Sequence, residues 1–166
     1  MTAQESRQII VRSATERDIP GLVECAAALF AEDAGSHDPA VNTNWPHEYG
    51  SGRFSTGVSD PGRLILVAVD RGDNVVGYLT GTINEPTAMT TITTATLTAM
   101  WVRPELRGRG TGGELVQQFL TWAREQRAER AEVTAYTANE GARSFYARHG
   151  FISHSVTAVN PLNGAD

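Results

Sequence analysis

Cysteine is nearly missing from this chain: 166 residues contain one, Cys25. No internal disulfide can form, so a reducing compartment, the cytoplasm, is the expected home. Cys25 falls at the edge of a helix's apolar face and reads as packing rather than as a reactive thiol. Also missing is any apolar run near the roughly 20 residues that a membrane-spanning helix needs, so no membrane partner is expected. The start, Met1 to Gln8, has neither the basic nor the apolar stretch of a signal peptide. A formal net charge of -5 denies the chain the basic footprint of a nucleic-acid binder and suits a cationic substrate. No repeat, low-complexity tract or linker interrupts the sequence. One domain over residues 1–166, long enough for a substantial core, is expected. Hydrophobic content of 40% and charged content of 20% are ordinary for a globular protein.

Against these absences, Arg107-Gly108-Arg109-Gly110-Thr111-Gly112-Gly113 stands out. It lies between a threonine-rich apolar run ending at Val102 and an amphipathic run starting near Glu114. Glycines without Cβ let the backbone turn sharply and let a ligand come close. The first amides of the following helix are unpaired, and the helix dipole places partial positive charge there. Strand, glycine turn and helix start together make a seat for a phosphate or pyrophosphate. Gly108-x-Gly110-x-x-Gly113 also fits a dinucleotide fingerprint, but Arg103-Pro104-Glu105-Leu106 separates it from its strand. Too little chain then remains for the further βαβ units of that fold. A P-loop is excluded because the stretch lacks lysine and no Gly-Lys-Ser/Thr closes it. Thr111-x-x-Glu114 fits a capping box that would compete for the same amides, with Glu114 expected to point outward.

Periodicity supplies the surrounding elements. Gln8 to Arg12 reads as a strand, followed by an N-cap at Thr15 and a helix whose Ile19, Leu22, Val23, Ala26, Leu29 and Phe30 share one face, ending at Ala34-Gly35. Residues 36–62 read as loop, a short helix near Pro46 to Gly57, and loop. Leu64–Val69 and Val75–Ile83 form a hairpin about Arg71-Gly72-Asp73-Asn74. The β-branched run Thr90 to Val102 suits a central strand. A helix then buries Leu115, Val116, Phe119, Leu120 and Ala123. Glu132 to Tyr136 is a further strand, Asn139 opens a helix stopped by Gly150, Phe151 to Val159 is a last strand, and Pro161 to Asp166 reads as a mobile tail. The class is α/β, a mixed sheet with flanking helices, in the order β-α-α-β-β-β-α-β-α-β.

The segment Met100 to Gly112 resembles the GNAT N-acetyltransferase superfamily, whose cofactor motif Arg/Gln-x-x-Gly-x-Gly/Ala is matched by Arg107, Gly110 and Gly112, after Val102 and Pro104. A second signature of that family follows from Asn139 to Phe151, and the resemblance runs from about Thr91 to Phe151. It implies a GNAT-type fold and acetyl-CoA as cosubstrate, with no metal. The pantetheine arm would lie along Met100, Trp101 and Val102, with a backbone amide there polarising the thioester carbonyl. The pyrophosphate would sit on Arg107, Gly108, Arg109, Gly110, Thr111, Gly112 and Gly113; solvated arginine side chains are the lesser reading, more for Arg109 than for Arg107. Asn139 would contact the cofactor arm, and Tyr146, two helical turns on, would act as general acid. Read without the family, Asn139 is a plain N-cap and Tyr146 a core aromatic.

The chain departs from the family at the general base. Relatives carry a glutamate six residues before the position of Val102; here that residue is Thr96, and Thr90 to Trp101 holds no ionisable side chain. Asp33, His37, Asp38, Glu48, Glu85 and His154 are the remaining candidates, each read more readily as a surface group than as a base. Glu32, Asp33, Asp38, Trp45 and Glu48 lie where relatives admit the acceptor, and carboxylates beside an aromatic suit an ammonium group; Asp33, Trp45 and Glu48 are the candidate substrate residues. A small-molecule amine is the leading acceptor. A protein N-terminus or lysine is the alternative, and a catalytically silent acyl-CoA sensor is an alternative of another class. Homodimers are common among relatives and a homodimer is compatible with the chain.

Overall fold

The computed structural model describes residues 8–164. The polar start, apart from Gln8, and the last two residues of the expected tail lie outside that range. Five strands form one sheet in the order β1-β2-β3-β4-β5: β1 Ile10–Ser13, β2 Arg63–Val69, β3 Val75–Asn84, β4 Thr94–Val102 and β5 Arg130–Val133. The first four pair antiparallel, and β5 joins β4 in parallel. The helices are α1 Ile19–Glu32, the single turn α2 Ala34–His37, α3 Ser51–Val58, α4 Thr111–Glu125 and α5 Glu140–Arg148.

Each sheet face is sealed by its own apolar cluster. Leu115, Val116 and Phe119 of α4 are fully buried against Leu79, Ala95 and Leu97. On the other face, Leu22 and Ala26 of α1 and Phe54 of α3 pack on Val67, Val69 and Tyr78. The expected periodicity of α1 is therefore the face that meets the sheet. Its start differs: Thr15 leads a short 3-10 turn, Glu16–Asp18, and α1 proper begins at Ile19 with Pro20 in its first turn, where the missing proline N–H costs nothing. The short helix near Pro46 is a wide π-type turn, Pro46–Gly50, continuing into α3.

The β3–β4 register shifts at one place: Thr80 pairs with Ala99 but Gly81 pairs with Leu97. Thr98 is the extra residue of this bulge, and its hydroxyl lies 2.7 Å from that of Thr80. A bulge reverses the alternation of side chains beyond it. Leu97 packs on the α4 side, Ala99 and Trp101 go to the α1 side, and Met100 and Val102 return to the α4 side.

Two expected strands are corrected. The strand placed at Glu132 to Tyr136 is four residues long and lies earlier, at Arg130–Val133, because pairing with β4 stops at Leu97↔Val133. The last strand, Phe151 to Val159, does not form: Gly150 ends α5 at φ +89°, Phe151 packs on Tyr146 with ring centroids 5.7 Å apart, and the residues beyond it join no ladder. β-propensity describes fitness for a pleated neighbour, and here no neighbour is present.

Asp18 ties β1 to the start of α1. Its carboxylate is 4% exposed and accepts from both Arg12 guanidinium nitrogens, at 2.7 and 2.9 Å, and from the Thr15 amide at 2.8 Å. The Arg12 bonds hold the Asp18 carboxyl below its ordinary range, against the opposing effect of burial. A depressed folded pKa contributes stability above the unfolded value, near 4, that is lost as pH falls through the folded one. Asp18→Asn is expected to cost about 2 kcal/mol near neutrality, because Arg12 keeps partial access to water. The difference from wild type should shrink below about pH 4. Urea unfolding at pH 7 and pH 3 checks this, and an equal difference at both would refute the linkage.

Candidate active site

β4 is the strand around which the candidate residues gather. Its first half pairs with β5, from Thr94↔Arg130 to Leu97↔Val133; its second half, Thr98 to Val102, has β3 on one side and no strand on the other. Along that open side the Val102 carbonyl is taken by Arg107 Nε at 2.8 Å, and Thr98 to Trp101 make, among the described residues, no backbone bond outside the β3 ladder, which leaves them to an extended ligand. Of the residues expected to meet the cofactor arm, Met100 and Trp101 are half-buried and Val102 is buried.

The glycine turn follows a 3-10 turn at Pro104–Leu106. Gly108 and Gly110 adopt φ of +76° and +89°, which side-chain-bearing residues rarely accept, and a Cβ at either would meet open space. Gly110 is the N-cap of α4, and no side chain caps this helix. The Glu114 amide is bonded back to the Gly110 carbonyl at 3.0 Å, so the Thr111, Gly112 and Gly113 amides precede the first closed turn. The expected Thr111–Glu114 capping box is absent: Thr111 is buried inside the first turn, and Glu114 is exposed and accepts from Gln118 at 3.4 Å. Gly112 and Gly113 have a further task. A Cβ on Gly112 would sit 3.3 Å from the Phe145 ring, and one on Gly113 would sit 3.2 Å from His149. Their bareness lets α5 pack across the mouth of α4. Arg109 is exposed.

Arg107, although exposed, has its guanidinium engaged by acceptors of the protein itself. Its Nε donates to the Val102 carbonyl at 2.8 Å, and its two terminal nitrogens donate to the Glu32 carboxylate at 2.7 and 2.8 Å. The Trp101 indole donates to the same carboxylate at 2.8 Å. Arg107, ahead of Trp101, holds the Glu32 carboxyl below its ordinary range. Glu32, which the sequence offered to the acceptor, instead clamps α1 to the end of β4.

The other half of the site joins α1 to α5. Asn139 caps α5 by accepting from the Ala142 amide at 3.0 Å, and its Nδ2 donates to Asp33 Oδ1 at 2.9 Å. His37 Nε2 lies 3.7 Å from that same Asp33 oxygen, and the His37 ring lies against Tyr136, centroids 5.1 Å apart. Tyr146 is packed by Phe145 and Phe151. Burial, with a smaller effect from the Asp33 charge, pushes its phenol up to about 12. Asp33 and Asn139 are thus brought together, with Tyr146 two turns further along α5.

Trp45 and Glu48 are not part of that group. Trp45 packs edge-on against Phe30, and the cation over its face is Arg53, at 5.6 Å. Glu48 accepts from Asn44 at 2.9 Å. Trp45 instead opens on a separate pocket with Tyr49, Arg53 and Arg63. Thr96 accepts from Asn84 at 2.8 Å and is the register partner of Glu132 on β5. Partners in a parallel pair point to the same face, so a carboxylate stands one strand away from the position where relatives carry theirs. The sequence could not show this, because the register of β5 is set by the sheet. Among the described residues no group of three or more His, Cys, Asp or Glu could hold a metal ion, and no helix is long and apolar enough to cross a membrane.

Comparison with known proteins gives the family and the fold. The model of the acetyltransferase (GNAT) family matches residues 26–151, and the chain belongs to that family of enzymes. No curated protein sequence matches the chain. Among solved structures, a mutant of the BH1408 protein from Bacillus halodurans is 21% identical, with a TM-score of 0.76, covering 92% of this chain and 99% of its own. The aminoglycoside 6'-N-acetyltransferase AAC(6')-Ih of Acinetobacter baumannii is 18% identical, with a TM-score of 0.70 and coverages of 95% and 100%. A ribosomal-protein-alanine N-acetyltransferase from Brucella melitensis is 15% identical, with a TM-score of 0.65 and coverages of 93% and 100%. At these identities the likeness is one of fold.

The Glu32–Arg107 clamp is partly exposed, so its ionic part is open to screening. Glu32→Ala is expected to lower stability by about 1 kcal/mol in dilute buffer and by clearly less in about 1 M salt. Denaturation at the two ionic strengths checks this; a loss independent of salt would mean that the ion pair contributes nothing.

Proposed function

We propose that this chain, acting as one domain in the cytoplasm, is an acetyl-CoA-dependent N-acetyltransferase whose acceptor is a small-molecule primary amine. The observation that carries the reading is the open side of Thr98 to Val102 leading to an uncapped helix start. A long ligand could bond along the strand and end with its anionic groups on the amides of α4. The residues fit such a ligand: Gly108 and Gly110 leave open space, the Thr111 to Gly113 amides precede the first closed turn, and exposed Arg109 supplies positive charge. Arg107, bound to Glu32, holds the turn in place from behind and acts as a positioning residue. Acetyl-CoA would supply an acetyl group activated as a thioester.

The chain's own groups account for the remaining requirements. Backbone amides near Met100 to Val102 would polarise the carbonyl under attack. Tyr146 keeps its proton at every physiological pH and can give it to a departing thiolate. Asn139 holds Asp33 beside it. Asp33 supplies the negative charge that attracts an ammonium group and, directly or through water, takes the proton that the amine must lose. Proximity then does much of the rest. The acidic net charge and Asp33 support a cationic acceptor; the likeness in fold to an aminoglycoside acetyltransferase supports a small one.

Binding and chemistry are tested separately. Arg109→Glu is expected to weaken acetyl-CoA binding about tenfold in calorimetry without changing the melting temperature, as one charge reversed at a phosphate site should. Unchanged affinity, or no response of the wild type to acetyl-CoA, would remove the phosphate seat. Tyr146→Phe should lower kcat for thiol release across an amine panel about 100-fold, with cofactor affinity retained. Asp33→Asn, which keeps an acceptor for Asn139, should lower kcat/KM with cofactor affinity retained. With the phenol at about 12, the wild-type rate should show no alkaline fall near the ordinary tyrosine value of about 10. Full activity in Tyr146→Phe would take Tyr146 out of the mechanism.

A further inference from the structure

The helical run that starts at Pro46 has two faces, and only one of them meets the rest of the protein. Gly50, Phe54 and Gly57 are buried against α1 and β2. Trp45, Tyr49, Gly52, Arg53 and Thr56 follow one another at helical spacing on the other side, where with Arg63 of β2 they line a recess of about 590 Å³. The recess therefore lies on the solvent side of α3, not between α3 and the sheet. Its chemistry is the reverse of the site that holds Asp33: two guanidinium groups line it and no carboxylate does. In a chain of net charge -5 this is a local excess of positive charge. Acids on neighbouring segments are bonded elsewhere. Glu48 accepts from Asn44 at 2.9 Å, Glu16 from Ser55 at 3.0 Å and Asp60 from the Gly62 amide at 2.8 Å. Among the described residues neither Arg53 nor Arg63 forms an ion pair, although Arg63 is half-buried.

The aromatic side chains of the recess are held in position. Phe30 packs edge-on against Trp45, centroids 5.2 Å apart, and Arg53 sits over the indole at 5.6 Å. A guanidinium fixed on an indole keeps its N–H donors for a carboxylate or phosphate and loses less freedom on binding. Tyr49, 63% exposed, adds a largely uncovered ring. Gly52 is the informative position. Glycine weakens a helix, yet Gly52 has no positive φ, and a Cβ there would meet nothing within 4 Å. Neither the backbone nor the packing asks for glycine; what its bareness supplies is room in the recess. We propose that this recess binds a planar aromatic anion, a ring bearing a carboxylate or a phosphate, at a site separate from acyl transfer. The anion pairs with Arg53 and Arg63, and the ring rests against Tyr49 over the bare backbone of Gly52. A cationic amine, the acceptor proposed above, is repelled here, so the two sites select ligands of opposite charge. The proposal does not rest on the acyl transfer.

Titration calorimetry of the full chain with matched probes tests it. Benzoate and phenyl phosphate share a ring and differ in the anion, which separates a carboxylate ligand from a phosphate one. At least one of them is expected to bind, about tenfold or more tightly than neutral benzamide and than ring-less acetate or inorganic phosphate. Coenzyme A should not displace it. The double variant Arg53→Gln, Arg63→Gln breaks no ion pair, so its circular dichroism should match wild type while its affinity for the anion falls at least about tenfold. Gly52→Leu favours the helix and puts a side chain into the recess; its melting temperature should not fall, and binding should be lost. No binding of either anion at about 10 mM, equal affinity for benzamide, displacement by coenzyme A, or unchanged affinity in either folded variant would each overturn the proposal.

Discussion

The parting of β5 from β4 after Leu97 and Val133 is the constraint on which the rest of the site depends. A sheet that stayed paired would satisfy the backbone of β4 on both sides and leave no edge for an extended ligand. Instead the two strands share four residue pairs and separate. The bulge at Thr98 lies at the point of separation, where it turns Ala99 and Trp101 toward α1. The position of Trp101 then permits the clamp: its indole and the Arg107 fork meet on Glu32, so the end of α1, the end of β4 and the glycine turn are held as one unit.

Much of this was legible in the sequence because it is local. A glycine turn before an amphipathic helix, the buried face of α1 and the Asn139 cap are each written within a few consecutive residues. What could not be read depends on residues far apart in the chain. Glu32 looked available to a substrate because its partner is 75 positions away. Asn139 looked like a cap or a ligand contact, and it is a cap that also holds Asp33, 106 positions away. Trp45 looked like a seat for a cation, and that seat holds Arg53. Glu132 had no meaning until the register placed it beside Thr96. The final strand failed for a related reason: a strand is a relation between two segments, and the residues after Phe151 join no ladder.

Departure from the family at Thr96 is likewise better understood in space than along the chain. Thr96 belongs to a row of hydroxyl and amide side chains bonded across β3 and β4 in two separate pairs, Asn84 with Thr96 and Thr80 with Thr98. Such a row is neutral and self-satisfied, and it offers no proton acceptor. The carboxylates of this region come from outside the strand, from Asp33 on the α1 side and from Glu132 on β5, the latter ion-paired to Arg130 at 2.8 Å. Both are attached to elements that flank the gap in the sheet.

Gly112 and Gly113 carry a consequence for how such motifs are interpreted. A bare backbone at the head of α4 is usually credited to the anion it can receive, yet here the same two positions are also where Phe145 and His149 of the last helix come to rest. One pair of missing side chains serves two neighbours on different sides. Evolution could therefore abandon the ligand and still be obliged to keep the glycines, and a relative that has lost catalysis would look, at these positions, like one that has not.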